Sequence, residues 1–557
     1  MEILQIAIIF IVFVLLCIPT GKYLYKVSEH EKTFIDPVVD KIDNFIYKLS
    51  GIKKGPMTWK KYVLALLSTN AIAAFIGYLI LRLQSINVLN PNHIKGMEQG
   101  LTFNTIISFL TNTNLQDYSG ESGLSYLSQM IVITFMMFLA AATGLAVAWA
   151  FMRALAGRKN EIGNFYVDIV RITTRILLPA SIVLSIFFVA QGVPQTLAPT
   201  KTLTTIEGKL QDIPLGPVAS LEAIKLLGTN GGGFFGANSS HPFENPTPLT
   251  NAVEIISLMI LAGSTVICFG HMLKKKKQAI AIFAAMSILF FIFLPICYNS
   301  EKAGNPVISR IGLSQAMGSM EGKEIRFGLG GSTLFTVATT STSCGAVNNM
   351  HDSLTPIGGA TALMNMMLNV IFGGKGVGFM NMIMYAILTV FICGLMVGRT
   401  PEFLTKKIEG KEIKLVAFAI IIHPFLILMF SALALVTKSG LAGISNPGFH
   451  GLTQIIYQYT SCAANNGSGF EGLGDNTMFW NVTGGIVMFL GRYLSMIILI
   501  AVAASLASKK SIPETSGTFK TDNTVFTITL VFIVLIIGAL TFLPAVALGP
   551  IAEHLTL

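Results

Sequence analysis

The 557-residue sequence predicts an all-α polytopic membrane protein, with ten transmembrane helices forming four span–pore loop–span repeats and one extra helix at each end. Three observations carry that expectation. Hydrophobic residues make up 52% of the chain and charged residues only 12%, against about 25% charged in soluble domains. Apolar runs long enough to span a bilayer recur over the whole length. Between alternate pairs of runs lie short strings rich in Thr, Ser, Asn and Gly, whose backbone N–H and C=O groups cannot sit bare in hydrocarbon.

In order, the spans fall near 3–24, 61–83, 128–152, 172–192, 250–272, 278–298, 377–398, 413–437, 481–507 and 524–547. The first follows Glu2 rather than a basic stretch and leads to no small-residue cleavage site, so it reads as a retained span rather than a signal peptide. The expected organisation is a first helix and cytoplasmic loop over 1–60, repeats over 61–153, 170–273, 278–398 and 413–508, and a last helix with an extracellular C-terminus over 524–557.

Basic residues choose the sides. Nine lysines from Lys22 to Lys61 follow the first span, Arg153, Arg158 and Lys159 the third, and Lys274–Lys277 the fifth. Arg399, Lys406, Lys407, Lys411 and Lys414 follow the seventh, and Lys509 and Lys510 the ninth. These segments are expected in the cytoplasm, with both termini outside. The net charge of +10 therefore reports topology rather than a nucleic-acid partner.

The opposite loops read "SFLTNTNLQDYSGE" (108–121), "KLLGTNGGGFFGAN" (225–238), "VATTSTSCGAVNN" (337–349) and "YTSCAANNGSGFEG" (459–472). Each couples an apolar half-helix to a polar tip, and in a loose register Asn114, Gly232, Cys344 and Asn466 recur at a nearly constant interval. One such string is an ordinary turn. Four on one side predict re-entrant loops meeting on an axis, where backbone carbonyls and Thr, Ser and Asn oxygens replace the hydration shell of a monovalent cation. Glycines such as Gly231, Gly232, Gly233, Gly345 and Gly467 free the backbone to aim carbonyls inward. The tips carry no carboxylate, which favours K⁺ or Na⁺ over Ca²⁺ or Mg²⁺.

Other chemistries find little support. Of the six cysteines, Cys17, Cys268, Cys297 and Cys393 lie in apolar runs as packing residues, and no CxxC or CxxH spacing occurs. There is no GxxxxGK[ST] and no Asp-Lys-Thr-Gly; "FGGKGVG" (372–378) lacks the Ser or Thr of a phosphate loop. The eight histidines form no HExxH pair. Ser343 with His351 and Asp352 lists the parts of a hydrolase, but no GxSxG accompanies the serine, and neighbouring His and Asp do not fill successive triad roles.

The span–loop–span plan resembles the K⁺ transporter superfamily that includes the Trk, Ktr and HKT proteins. The strings "SFLTNTNLQDYSGE", "GTNGGGFFGANSSHPFENPT", "SCGAVNNMHDS", "GRTPEFLTKKI" and "GALTFLPAVALGPIAEHL" are more closely similar to the KdpA family, the potassium-binding subunits of Kdp potassium-transporting ATPases. That resemblance, which runs from the first span to the last, implies a bacterial plasma-membrane subunit that hydrolyses no ATP and binds no nucleotide. It implies a selectivity filter at Asn112, Thr113 and Asn114; Thr229, Asn230, Gly231 and Gly232; Thr342, Ser343, Cys344 and Gly345; and Ala464, Asn465, Asn466 and Gly467. Gln116 would stand at the filter mouth, with Cys344 and Cys462 contributing backbone and small volume. The cargo implied is K⁺, passed by a tunnel to the P-type ATPase subunit KdpB, with KdpC, a small KdpF peptide and membrane lipid as companions. Trk-type filters show one glycine per repeat, and the first and fourth loops here offer Asn114 and Asn465–Asn466 instead. A self-sufficient Trk- or Ktr-type channel or symporter is the alternative.

Magnitudes favour a powered complex. A K⁺ gradient of about 10⁵ costs roughly 7 kcal/mol, and a potential of about −150 mV returns only about 3.5 kcal/mol per charge. An open pore would leak, so a closure is expected below the filter. Gly373, Gly374, Lys375 and Gly376 interrupt a span running from about Leu363 to Met396, as glycine runs do where a cavity is lined. For Lys375 two readings stand: a positive charge opposing free K⁺ passage, or a snorkelling cytoplasmic lysine. Arg492, costly within the ninth span, either faces the cavity or sits in a structural salt bridge.

Overall fold

The computed structural model describes residues 2–86, 88–158, 161–398, 400–513 and 518–557, with Lys375 described by its backbone alone. Lys159 and Arg399 lie outside the described residues.

Among the described residues, ten helices are long and apolar enough to cross a membrane. After α1 (Glu2–Ser28), a short α2 (Asp36–Leu49) lies ahead of α3 (Trp59–Arg82), pore helix α4 (Gln99–Leu110) and α5 (Ser128–Leu155). The second unit is α6 (Phe165–Ala190), pore helix α7 (Val218–Leu227) and α8 (Pro248–Met272). The third is α9 (Lys276–Ala303), pore helix α10 (Gly328–Ser341) and a divided helix, α11 (Pro356–Leu368) then α12 (Val377–Met396). The fourth is α13 (Gly410–Val436), pore helix α14 (Phe449–Ala464) and α15 (Met478–Ala507), followed by α16 (Thr524–Val546).

The helix starts are written in the sequence. The side chains of Thr58, Glu98, Thr247, Thr477 and Asn523 accept N–H bonds from the first turns of α3, α4, α8, α15 and α16, removing orphan donors. Pro248 then fills the first position of α8, where no N–H is needed. The second helix of each unit lies inside: α5 and α8 are mostly buried, whereas α1 exposes most of its surface. α1 packs along α8, where Gly21 allows contact so close that a Cβ there would lie 2.5 Å from that of Ile267.

Two features went unseen in the sequence. The lysine-rich stretch after α1 is not all loop, because α2 docks on Arg175, whose guanidinium pairs with Asp36 at 2.9 Å and also with Asp43. Arg175 lies in a π-helical turn (Thr173–Leu177) just before Pro179, whose missing N–H breaks the regular ladder. The loop between α6 and α7 carries an antiparallel hairpin, β1 (Lys201–Thr204) and β2 (Leu210–Ile213).

Candidate functional site

The four pore helices end in one way. The residue after each last turn is left-handed: Asn112 (φ 62°), Thr229 (φ 38°), Ser343 (φ 48°) and Asn465 (φ 53°). The next residue's N–H reaches the carbonyl five back: Thr113 to Ser108 (2.9 Å), Asn230 to Lys225 (2.9 Å), Cys344 to Thr339 (2.8 Å) and Asn466 to Ser461 (2.9 Å). This Schellman end satisfies the helix's last carbonyls and turns the chain sharply upward. None of the four left-handed positions is glycine, and Thr229 is β-branched, so the surrounding contacts hold the conformation against its cost.

The shared hydrogen bonds set the register. Asn114, Gly231, Gly345 and Gly467 are equivalent, one residue from the loose register at Gly232, Cys344 and Asn466. The fourth loop thus keeps its glycine, and only Asn114 replaces one. Asn114 takes φ 61°, a conformation Asn enters at low cost.

The tips close a ring in chain order. Asn112 Nδ2 donates to the Thr229 carbonyl (2.8 Å), and Asn230 Nδ2 returns to Asn112 Oδ1 (2.9 Å). The Gly345 N–H donates to the Asn230 carbonyl (2.7 Å), and Asn466 Nδ2 to the Cys344 carbonyl (3.1 Å). Asn465 Nδ2 reaches Thr113 Oγ1 (3.0 Å), joining the fourth tip to the first. Glycine is required at these seams: a Cβ on Gly467 would lie 1.9 Å from the Thr113 carbonyl oxygen, and one on Gly345 2.7 Å from that of Asn466. Cys344 acts through its carbonyl, which also accepts the Thr339 hydroxyl (2.6 Å). Cys462 is buried. Thr342 and Ala464 are buried at the ends of α10 and α14.

Above the tips is a cavity of about 330 Å³ lined by Gln116, Asp117, Gly232, Gly345, Gly467 and Asp475 among others. Gln116 clamps the second tip: its Oε1 accepts the Gly233 N–H (2.8 Å) and its Nε2 donates to the Gly233 carbonyl (3.2 Å). Three carboxylates line the cavity that tip composition does not reveal, Asp117, Glu471 and Asp475. Asp117 is buried against Asp475, which also accepts from Gln458 (3.0 Å). Burial, then the neighbouring charge of Asp475, holds the Asp117 carboxyl well above the usual range, and burial pushes Asp475 up to about 6. The only signal in the sequence was an acidic residue close after a tip in a charge-poor chain.

The long second loop is anchored from behind by a buried lysine. Lys225 in α7 pairs with Glu222 and Glu244 (both 2.7 Å) and donates to Asn238 and Ser239 (both 2.9 Å). Residues 233–245 are thereby folded onto the pore helix that precedes them.

Below the ring, the break between α11 and α12 lies against the tips. Asn369 (φ 46°) accepts the Ser343 hydroxyl (2.7 Å) and donates to the Ala464 carbonyl (3.3 Å). A Cβ on Gly374 would fall 2.8 Å from the Thr342 carbonyl oxygen and 3.4 Å from that of Ser343. Gly373 meets Gly378 backbone to backbone, and Gly376 (φ 85°) sits on Gly144 and Ala148 of α5. The Lys375 side chain lies outside the described residues. Arg492 is buried in α15 and makes no salt bridge with a described residue. With Ser343 on Asn369, and His351 bonded to Tyr457 (2.7 Å), no serine–histidine pair is assembled.

The KdpA family profile, described as Potassium-transporting ATPase A subunit, matches residues 7–555. A Clostridium acetobutylicum protein named potassium-transporting ATPase potassium-binding subunit is 77% identical over the whole of both chains. A Geobacillus kaustophilus protein of the same name is 55% identical over 99% of each. The crystal structure of the potassium transporter TrkH from Vibrio parahaemolyticus aligns over 89% of this chain and 98% of its own, with a TM-score of 0.55 and 15% identity, a likeness of fold.

Proposed function

From the premise that this chain belongs to the potassium-transporting ATPase A subunit family, we propose that it is the K⁺-binding, K⁺-passing subunit of an ATP-driven uptake complex in a bacterial plasma membrane. The observation that carries this reading is the ring: four identical helix ends, interlocked tip to tip, bring neutral backbone, Thr, Ser and Asn oxygens together at one place. Fixed neutral oxygens suit a monovalent ion that must shed its water, because the ring supplies the lost coordination without reorganising. The filter residues in this reading are 112–114, 229–232, 342–345 and 464–467, with Gln116 fixing the mouth through Gly233. The cavity above faces the outside, and the lysine-rich segments face the cytoplasm, as the distribution of basic charge supports.

Gly373, Gly374, Lys375 and Gly376 form the closure beneath the ring, and the buried charge of Arg492 opposes unpowered passage nearby. The ion leaves sideways, through a tunnel, to a P-type ATPase subunit of the KdpB kind, with KdpC and KdpF completing the complex. This chain lacks nucleotide-binding motifs, so it contributes selection and delivery while the partner contributes the energy.

The test is ⁸⁶Rb⁺ uptake into liposomes that hold this chain alone, or this chain with its ATPase partners and ATP. Flux confined to the second preparation is the expected result. Rapid flux through the chain alone overturns the pump reading and makes it a channel or symporter.

A further inference from the structure

At the opposite end of the molecule from the tips, α8 turns into α9 through Lys274–Lys277. Lys274 is left-handed (φ 56°), and the Lys275 N–H returns to the Gly270 carbonyl (3.0 Å), so the turn is tight and its lysines are presented together. The turn borders a cavity of about 530 Å³. Among the described residues five lysines line it, Lys274–Lys277 and Lys520, against two carboxylates, Glu402 and Asp522, so its field favours an anion.

Two further features of this cavity ask for an anionic oxygen. The 28-residue α9 begins at Lys276, and its N-cap residue offers no side-chain acceptor to the first N–H groups. Gln278, in that first turn, is 1% exposed and lines the cavity. Its Oε1 is used by Thr521, but its Nε2 is buried with no hydrogen-bond partner among the described residues. A buried donor left unpaired carries a desolvation cost that an arriving oxygen recovers.

The cavity continues into grease. A second cavity of about 430 Å³ shares Gly270, His271 and Lys276 with the first and runs between α1, α8 and α9. Its walls are Val14, Ile18, Ile280 and Phe283 among others, all in membrane-spanning helices. A free inorganic anion has no use for such a groove. A molecule with a negative head and an apolar tail fits both parts, and membranes supply one.

We propose that this composite cavity is a binding site for one anionic phospholipid, its phosphate held by Lys276, Lys277, the N-terminus of α9 and Gln278 Nε2, and an acyl chain lying in the groove beside Ile280. The site needs no potassium and no partner subunit, so it stands apart from the transport reading.

The experiment is native mass spectrometry of the purified full chain, titrated with dioleoylphosphatidylglycerol or dioleoylphosphatidylcholine. One phosphatidylglycerol is expected to be retained about ten times more tightly than phosphatidylcholine, and the Lys276→Gln/Lys277→Gln variant is expected to lose that tenfold preference. Both lysines are exposed, so folding is spared. Ile280→Trp, also at an exposed position, fills the groove and is expected to weaken phosphatidylglycerol with the lysines intact. Equal retention of the two lipids, or retention unaffected by both variants, overturns the proposal. Displacement of phosphatidylglycerol by millimolar inorganic phosphate also overturns it, since the head alone would then suffice.

Discussion

The ring of tips and the segment beneath it touch each other but are held by different means. Above, the first, second and fourth tips give side-chain amides to a neighbour, as Asn112, Asn230, Asn465 and Asn466 do, and the third gives the Gly345 N–H, so moving one loop breaks directional bonds to others. Below, Gly373, Gly374, Gly376 and Gly378 meet their surroundings by backbone contact, with Asn369 as the hydrogen-bonded anchor. Directional bonds fix a geometry, whereas glycine contacts let a segment slide at small cost. In the proposed reading the upper layer keeps its shape and the lower one changes it.

The largest break should come at the seam of the fourth and first tips. Gly467→Ala pushes a Cβ into the Thr113 carbonyl at φ 104°, and K⁺ binding by calorimetry is expected to fall ~100-fold or more. Gly157→Ala is the control: it has φ 85° with no described residue within 4 Å of the new Cβ, so K⁺ binding should stay unchanged. Retained K⁺ affinity in Gly467→Ala would mean that the ring does not coordinate the ion.

Next, Gly376→Ala presses on Ala148 and Gly144 in the lower layer. It is expected to change ATP-driven ⁸⁶Rb⁺ flux of the complex ~10-fold while K⁺ affinity stays within ~3-fold, as hinge substitutions do. Equal losses in both would erase the distinction between the two layers. Gln116→Ala removes both bonds to Gly233, and a ~10-fold loss of K⁺ affinity with maximal flux retained is expected, in line with one to two lost hydrogen bonds.

The smallest effect concerns pH. As pH falls from 8 to 5, Asp475 takes up a proton near 6 and the vestibule loses a negative charge. K⁺ affinity should therefore fall with decreasing pH, by ~3-fold for a screened charge at the mouth. Asp475→Asn should lose the part of the fall centred near pH 6, and an unchanged profile in that variant would acquit Asp475.

Much of this architecture was legible because membranes impose simple arithmetic. A span needs a run of apolar residues, so all ten announced themselves, and the Gly373–Gly376 interruption marked the divided helix. The four tips were visible because polar, glycine-rich backbone at membrane depth needs an enclosing protein. Composition did not give their register, since Asn114 does the work of a glycine and the hydrogen-bond pattern alone reveals it. Helix α2 stayed hidden because its partner, Arg175, lies far along the chain.

By itself, then, the sequence determined the number of spans, the fourfold plan and the neutral oxygen chemistry of the tips, all consequences of local hydropathy and residue type. Tertiary structure alone decided which tip locks onto which, that Asp117 and Asp475 share one vestibule, and that an unpaired Gln278 donor sits between lysines and an apolar groove. Those facts join residues hundreds of positions apart, and no local propensity records a contact that exists only after the helices have packed.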